Sequence, residues 1–243
     1  MAHPNFSNTI VVGTSGAIGC ALMEAIAQED SCQHLLALSR TPTQSSSDKV
    51  RNTLVDFDNM ASIEKAAECA ANFGPYSCII VATGLLHDET LKPEKNIKQC
   101  QADQLARLYH VNAIGPLMIA RAFSPLLTKA GPVCFAALSA RVGSISDNHL
   151  GGWYGYRASK AALNMLLKCL AIEFERVNKE SIVLGLHPGT VASNLSLPFS
   201  SNTPKEQLFS PQVSAHKLIQ VLKSASEENT GQVLAWNGQV VEP

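Results

Sequence analysis

Tyr156 and Lys160 are the residues whose types and spacing most directly suggest chemistry. Side chains four residues apart lie on one face of a helix. A free tyrosine has a pKa near ~10, too high for an efficient acid at neutral pH, and a nearby ammonium lowers it by stabilising the tyrosinate. The pair therefore predicts a group that donates or accepts a proton, although the same spacing is also common on solvated helices. Tyr154 competes for this role, but position 158 is alanine, so it lacks a lysine four residues later.

A glycine-rich segment, Gly13 to Gly19, lies between a short β-branched segment and the first segment with helical spacing of apolar residues. Glycines at the first strand-to-helix turn permit a tight turn and a close approach of the backbone to a pyrophosphate. The helix N-terminus adds free N–H groups and a partial positive charge. The segment predicts dinucleotide binding, although any strand-to-helix turn can carry glycines.

Arg40 stands at the end of the second predicted strand, about 20 residues past the last of these glycines. An acidic residue in this place would hold the ribose of NAD, whereas an arginine accommodates the 2′-phosphate of NADP. A guanidinium pairs with phosphate through two parallel hydrogen bonds. The sequence therefore favours NADP(H) over NAD(H), and the alternative is a solvent-exposed surface arginine.

Short apolar segments alternate with helical segments along the whole chain, which predicts a parallel sheet with helices on both faces. A Ser-, Pro- and Asn-rich segment, 194–211, is predicted to be a loop. The predicted strands are 9–12, 34–39, 52–55, 77–82, 133–138, 182–186 and 232–236. The predicted helices are 17–28, 61–73, 101–129 with a bend at Gly115, 156–178 and 213–224.

Composition excludes several classes of protein. The 243 residues carry 19 Lys and Arg against 20 Asp and Glu, so no basic excess indicates a nucleic-acid or anionic-membrane partner. The apolar segments are far shorter than the ~20 residues of a membrane-spanning helix, and the first residues lack a signal-peptide pattern. The seven cysteines are scattered without metal-ligand spacing. We therefore expect a cytoplasmic protein with reduced thiols and no bound metal.

The order of these motifs resembles the short-chain dehydrogenase/reductase family over nearly the whole chain, and the segments around Ser139 and Tyr156 are similar to its C-factor-like branch. The resemblance implies one α/β domain over residues 1–243, with a Rossmann-type, doubly wound, seven-stranded parallel sheet in three layers. It implies that Tyr156 is the acid/base, and that Lys160 holds the nicotinamide ribose and lowers the pKa of Tyr156. It also implies that Ser139 hydrogen-bonds the substrate oxygen and that Asn112 anchors a water in a proton relay.

Three positions depart from the family pattern. Ala17 replaces the middle glycine, the segment after the fourth strand lacks asparagine side chains, and the second of two adjacent serine positions is Ala140. Ser144 is therefore an alternative to Ser139. The cofactor residues that the resemblance implies are Gly13, Ser15, Gly16, Ile18, Gly19, Arg40, Asp56, Phe57, Ala82, Gly84, Lys160, Pro188, Gly189, Thr190 and Val191.

The resemblance implies an NADP(H)-dependent oxidoreductase that transfers hydride between nicotinamide and a small carbonyl or alcohol substrate. A mostly apolar lining favours a hydrophobic ketone or aldehyde, and the 194–211 loop is expected beside it. The expected lining residues are Leu85, Leu86, His87, Ser144, Ile145 and Trp153.

Two other functions stay open. The first is an NAD(P)-binding signalling protein of C-factor type with little turnover. The second is an epimerase or dehydratase, suggested by the glycine spacing but disfavoured because only residues 237–243 follow the last predicted strand. The sequence does not fix the oligomeric state, and a homo-oligomer stays open because long helices such as 101–129 often pair between subunits in this family.

Overall fold

The strands form where the sequence is apolar and rich in β-branched residues. The computed structural model describes residues 3–199, 204 and 208–243. In these residues the strands are β1 (Asn8–Val12), β2 (His34–Ser39), β3 (Val50–Leu54), β4 (Cys78–Val81), β5 (Val133–Leu138), β6 (Ser181–His187), β7 (Thr190–Val191), β8 (Leu208–Phe209), β9 (Gln232–Ala235) and β10 (Val240–Val241).

The central sheet has eight strands in the order β10-β9-β6-β5-β4-β1-β2-β3 within the described residues. The seven predicted strands are all present and parallel, with β9 as the seventh. The prediction of seven strands was one short, because β10 pairs antiparallel with β9 at the edge. Only two residues form β10, which is too short to show a strand pattern in the sequence.

The helices are α1 (Ala17–Ala27), α2 (Met60–Ala70), α3 (Ala102–Tyr109), α4 (Gly115–Phe123), α5 (Tyr154–Val177) and α6 (Pro211–Ser224). The single helix predicted for 101–129 is wrong in detail. A π-helical turn, His110–Ile114, separates α3 from α4, and a short 3-10 turn ends the segment at Leu126. In the described part of the chain, no helix combines the length and apolar character that crossing a membrane requires.

The core has two layers because successive strand residues point to opposite faces of the sheet. On β5, Cys134 and Ala136 pack with α1 and α6, whereas Phe135 and Ala137 pack with α2, α4 and α5. This three-layer arrangement confirms the predicted fold class. It leaves the carboxyl ends of the parallel strands along one edge of the sheet.

The strand order reverses between β1 and β4, which are neighbours in the sheet. The chain runs from β1 outward through β2 to β3, and then returns to the other side of β1 to form β4. Connections that diverge in this way leave a crevice at the carboxyl ends of the strands, where ligands bind in open α/β sheets. The fold therefore predicts a binding site beside Gly13 and Gly84.

The segment predicted as the 194–211 loop is only partly described. Residues 194–199 approach the carboxyl edge of the sheet, and Leu197–Phe199 form a 3-10 turn. Residues 208–209 form β8, which pairs in parallel with β7. Residues 200–203 and 205–207 lie outside the described residues.

Candidate active site

The glycine segment forms a turn that side chains would block. Gly13 has a φ of +89°, and a Cβ there would lie 2.9 Å from Thr83 Cγ2. A Cβ on Gly19 would lie 2.1 Å from the carbonyl oxygen of Gly13. Ala17, by contrast, is the first residue of α1, where a right-handed conformation suits alanine. The departure at position 17 therefore does not disturb the turn.

A groove of about 440 Å³ lies beside this turn, along the carboxyl ends of β1, β2 and β4. Predicted residues that line it are Gly13, Ser15, Gly16, Arg40, Asp56, Phe57, Ala82, Gly84, Leu85 and His87. Ile18 and Gly19 are not among its lining residues. Thr83, Asp58, Arg107 and Val111 also line it, and the sequence pattern did not single them out.

Arg40 is exposed at the rim of the groove and has no ion-pair partner among the described residues. Hydroxyl contacts fix the backbone next to it. Thr14 Oγ1 lies 2.8 Å from Thr43 Oγ1 and donates to Ser39 Oγ at 3.2 Å, and Ser39 Oγ donates to the Thr41 carbonyl at 2.5 Å. The segment that follows β2 is therefore tied to the glycine turn, with a guanidinium beside the groove.

The groove has the features that a dinucleotide requires. Its floor is open because residue 13 has no side chain, and the N-terminus of α1 faces the turn. The Thr83 hydroxyl is buried without a hydrogen-bond partner among the described residues. A buried polar group without a partner is costly, and a bound polar ligand would satisfy it. The residues present therefore fit NAD(P).

Tyr156 and Lys160 lie on the buried face of α5, next to the same edge of the sheet. Tyr156 is 8% exposed, whereas the competing Tyr154 is 40% exposed. Lys160 Nζ donates to the carbonyl oxygen of Leu138 at 2.7 Å and lies 5.9 Å from the centroid of the Tyr156 ring. A Cβ on Gly84 would lie 3.8 Å from Lys160 Nζ, so the lysine faces the groove.

Asn112 lies in the π-helical turn between α3 and α4 and is fully buried. Its Oδ1 accepts the N–H of Leu85 at 2.7 Å, and its Nδ2 donates to the Leu85 carbonyl at 2.8 Å and to Ser159 Oγ at 3.0 Å. These bonds join the segment after β4 to α5. Asn112, Gly84 and Lys160 therefore converge, since a Cβ on Gly84 would also lie 3.9 Å from Asn112 Oδ1.

Burial shifts both titratable groups of the pair away from their charged forms. It raises the pKa of Tyr156 to about 12 and lowers the pKa of Lys160 to about 7. The shift of Tyr156 is opposite to the expected lowering by Lys160, and its cause is the loss of hydration on burial. At neutral pH Tyr156 therefore keeps its proton and can donate it.

The Ser139 hydroxyl forms a hydrogen bond to Asn164, a residue that the sequence did not suggest as its partner. It donates to Asn164 Oδ1 at 2.5 Å, one turn beyond Lys160 on α5, and Ser139 is only 3% exposed. The Ser144 hydroxyl accepts the N–H of Asp147 at 3.0 Å and lies 3.3 Å from the Pro243 carbonyl oxygen. In this structure both candidate serines use their hydroxyls within the protein.

The turn after β6 packs against α6 and the small β7–β8 sheet. Gly189 has a φ of +77°, and a Cβ there would lie 2.8 Å from the Phe209 ring. The Pro188 carbonyl accepts the Ser214 hydroxyl at 2.8 Å, and Thr190 and Val191 form β7. These predicted cofactor residues do not line the 440 Å³ groove.

Aromatic side chains form a row that ends on Tyr156. The rings of His87 and Phe199 are 5.3 Å apart, those of Phe199 and Trp153 are 5.1 Å apart, and those of Trp153 and Tyr156 are 6.2 Å apart. His87 Nε2 donates to the carbonyl oxygens of residues 194 and 195 at 3.1 Å. The row brings two of the predicted lining residues, His87 and Trp153, towards Tyr156.

The other predicted lining residues have different surroundings. Ser144 and Ile145 line a second pocket of about 270 Å³, together with Tyr154 and Arg157. Leu86 is buried in the protein.

Comparison with known proteins identifies the relatives of this chain. The family model described as short chain dehydrogenase matches residues 7–203. A 1-hydroxy-2-glutathionyl-2-methyl-3-butene dehydrogenase of Rhodococcus sp. (strain AD45) is 35% identical over 131 residues, which are 53% of this chain and 54% of that protein. The match therefore spans about half the length of that relative. The C-signal of Myxococcus xanthus is 30% identical over 56% of this chain and 77% of its own length.

Solved structures share the whole fold. The NADPH-bound carbonyl reductase from chicken fatty liver has a TM-score of 0.86 at 22% identity, covering 100% of this chain and 96% of that one. At this identity the likeness establishes the fold alone.

Lys160 gives the stability of the protein a pH dependence. Its pKa is about 7 in the folded chain and near 10.5 in the unfolded chain, so the unfolded chain holds one more proton between these values. The free energy of unfolding should therefore rise with pH in this window, by up to ~1.4 kcal/mol per pH unit. Urea unfolding at several pH values should show this rise in the wild type and in the exposed control Lys65→Met, but not in Lys160→Met. Parallel pH curves for all three proteins would contradict the assignment.

Proposed function

Because the chain belongs to the short-chain dehydrogenase family, we propose that it interconverts a carbonyl compound and an alcohol with NADP(H), with Tyr156 as the acid/base. The observation that carries this proposal is the buried pair of Tyr156 and Lys160 beside a groove suited to a dinucleotide. Asn112 and Gly84 complete the same corner of the site.

The chain's own residues supply orientation and a proton. When bound, the nicotinamide supplies or accepts the hydride. In the direction of reduction, the Tyr156 hydroxyl, which burial keeps protonated at neutral pH, donates to the substrate oxygen. The positive charge of Lys160, 5.9 Å from the Tyr156 ring centroid, stabilises the phenolate that remains. With a pKa of about 7, Lys160 can also exchange protons near neutral pH.

Arg40 supports NADP(H) as the preferred cofactor. Its guanidinium lies at the rim of the groove without an ion-pair partner in the described part of the chain, and it is free to pair with a 2′-phosphate. The acidic side chains that line the groove are Asp56 and Asp58, which follow β3, and Asp88, which follows β4. An acidic ribose ligand at the end of β2 is therefore missing from the sequence.

The substrate we propose is a hydrophobic ketone or aldehyde. The Trp153 ring packs against Tyr156, and the Phe199 ring packs against Trp153. Apolar surface of this kind favours an apolar substituent on the carbonyl carbon. Leu85 adds to this lining where the groove approaches Asn112.

A second candidate is an NAD(P)-binding signalling protein with little turnover. The engagement of the Ser139 hydroxyl by Asn164 favours it, because a second hydroxyl donor for the substrate oxygen is then unavailable. The similarity to the C-signal of Myxococcus xanthus raises the same candidate. Tight NADPH binding without turnover on a broad panel of carbonyl compounds would support it over the reductase.

Replacing the proposed acid should remove catalysis and leave cofactor binding intact. We expect Tyr156→Phe to lower kcat for carbonyl reduction by about 100-fold or more, since positioned acids contribute factors of this size. The dissociation constant for NADPH should change little, because the glycine turn and Arg40 are untouched. Tyr154→Phe, at the exposed neighbouring tyrosine, should keep the wild-type rate. A Tyr156→Phe enzyme with full activity would refute the assignment.

Removing the guanidinium at the end of β2 should erase the cofactor preference. We expect Arg40→Ala to weaken NADPH binding by about tenfold and NADH binding much less, since a charge-assisted phosphate contact is lost. Fluorescence titration with both cofactors measures the ratio. Arg51→Ala, whose guanidinium lies over the Phe73 ring outside the groove, is the matched control. An unchanged NADPH-to-NADH ratio in Arg40→Ala would contradict the role of Arg40.

A further inference from the structure

Glu94 carries a buried carboxylate that has no role in the proposed hydride and proton transfer. It is 2% exposed and lies in the segment between β4 and α3, outside the cofactor groove. A charged carboxylate is costly to bury unless hydrogen bonds compensate for its lost hydration. Its Oε2 accepts the N–H of Gly155 at 3.2 Å, in the first turn of α5. This contact places the negative charge at the positive end of a 24-residue helix.

The backbone of Glu94 holds the residue at which α5 begins. Its carbonyl oxygen accepts the N–H of Trp153 at 2.5 Å. Gly151, Gly152 and Trp153 have φ values of +62°, +64° and +50°. Among the described residues, Trp153 is the only non-glycine with a positive φ, a conformation that persists only where the surroundings enforce it.

The start of α5 has no capping side chain of its own. Trp153, at the N-cap, makes no side-chain hydrogen bond to the helix. The first N–H groups of a helix lack partners within it and need acceptors from elsewhere. Glu94 supplies two such acceptors, one to Trp153 and one to Gly155, from a segment about 60 residues earlier in the chain.

The packing around Gly155 leaves little freedom for this helix end. A Cβ on Gly155 would lie 3.0 Å from Glu94 Oε1 and 2.5 Å from Leu108 Cδ1. The next residue is Tyr156, and the Trp153 ring lies 6.2 Å from the Tyr156 ring at an angle of 71°. The two hydrogen bonds of Glu94 therefore fix Trp153 and Gly155, which lie just before the proposed acid.

We propose that Glu94 is a positioning residue for the reaction. It holds the left-handed start of α5, so that Trp153 lies against Tyr156 and the Tyr156 hydroxyl keeps the orientation that proton donation requires. This inference rests on the proposed function, in which Tyr156 is the acid. Small displacements of a reacting group lower the rate strongly, even when binding is unaffected.

Two substitutions of Glu94, by side chains of similar volume, distinguish the effect of its hydrogen bond to Gly155 from the effect of filling the same space. Gln keeps an oxygen that accepts the N–H of Gly155, whereas Met fills the same space without an acceptor. We expect Glu94→Met to lower kcat per NADPH-binding site by about tenfold or more, with an unchanged dissociation constant for NADPH. Glu94→Gln should restore the rate to within about threefold of the wild type. Glu89→Met, at an exposed glutamate of the same segment, should behave as the wild type.

The value of kcat is divided by the concentration of NADPH-binding sites, because unfolded protein would otherwise lower the apparent rate and be mistaken for a loss of positioning. A Glu94→Met enzyme with the wild-type kcat per site would overturn the proposal. An equal loss in Glu94→Met and Glu94→Gln would overturn it as well, because hydrogen-bond acceptance would then not be the role of Glu94.

Tryptophan fluorescence tests the positioning role of Glu94 without relying on catalytic activity. In a Trp236→Phe background only Trp153 emits, and Glu94→Met should shift its emission to longer wavelength, whereas Glu94→Gln should not. If the wild type reduces no carbonyl compound, the proposed function fails, and the emission comparison still decides whether the Glu94 side chain, through its bond to Gly155, fixes the position of Trp153. Identical spectra in all variants would refute that role of the side chain.

Discussion

The contact between Lys160 and the end of β5 is the interaction on which the rest of the site depends. Its ammonium donates to the Leu138 carbonyl, and a Cβ on Gly143 would lie 2.8 Å from Lys160 Cβ, so glycine permits the close packing there. The contact joins α5 to the carboxyl edge of the sheet, where the strand order reverses beside β4. Tyr156, one turn earlier on α5, is thereby held at the edge where the cofactor groove lies. Burying a lysine costs stability, and buried groups with shifted pKa values cluster at functional sites.

Burial also determines which proton the site can move. Loss of hydration keeps Tyr156 protonated and brings the pKa of Lys160 to about 7, so Tyr156 holds the proton that the proposed reduction requires. Hydrogen bonds from Asn112 hold the segment after β4 against α5, and Glu94 holds the start of that helix. The Ser139 hydroxyl donates to Asn164 Oδ1, so in this structure it is not available to a substrate oxygen. Whether it is released on substrate binding distinguishes a reductase from a cofactor-binding signalling protein.

Local patterns in the sequence predicted the parts of the fold that depend on local physics. Six buried parallel strands follow from apolar segments, whereas the edge strand β3 is largely exposed. The turn at Gly13 follows from the need for a positive φ and an open floor. The Tyr156 and Lys160 pair follows from helical spacing. Long-range contacts escaped prediction: the bonds of Asn112 to Leu85 and Ser159, the bond from Ser139 to Asn164, and the bond of Glu94 to Gly155 each join segments distant in sequence. The downward shift expected for the pKa of Tyr156 failed for the same reason, because burial is a property of the fold.

We propose that the groove holds a nicotinamide cofactor whose hydride is delivered to a carbonyl carbon next to Tyr156. To test this, the protein is incubated with NADPH deuterated at C4 of the nicotinamide, on both faces, and an aryl ketone, and the alcohol is analysed by mass spectrometry. We expect one deuterium on the carbinol carbon of the product, and about 100-fold less deuterated alcohol in the same time when Tyr156→Phe replaces the wild type. Alcohol that forms without deuterium, or deuterium transfer that persists undiminished in Tyr156→Phe, would contradict it.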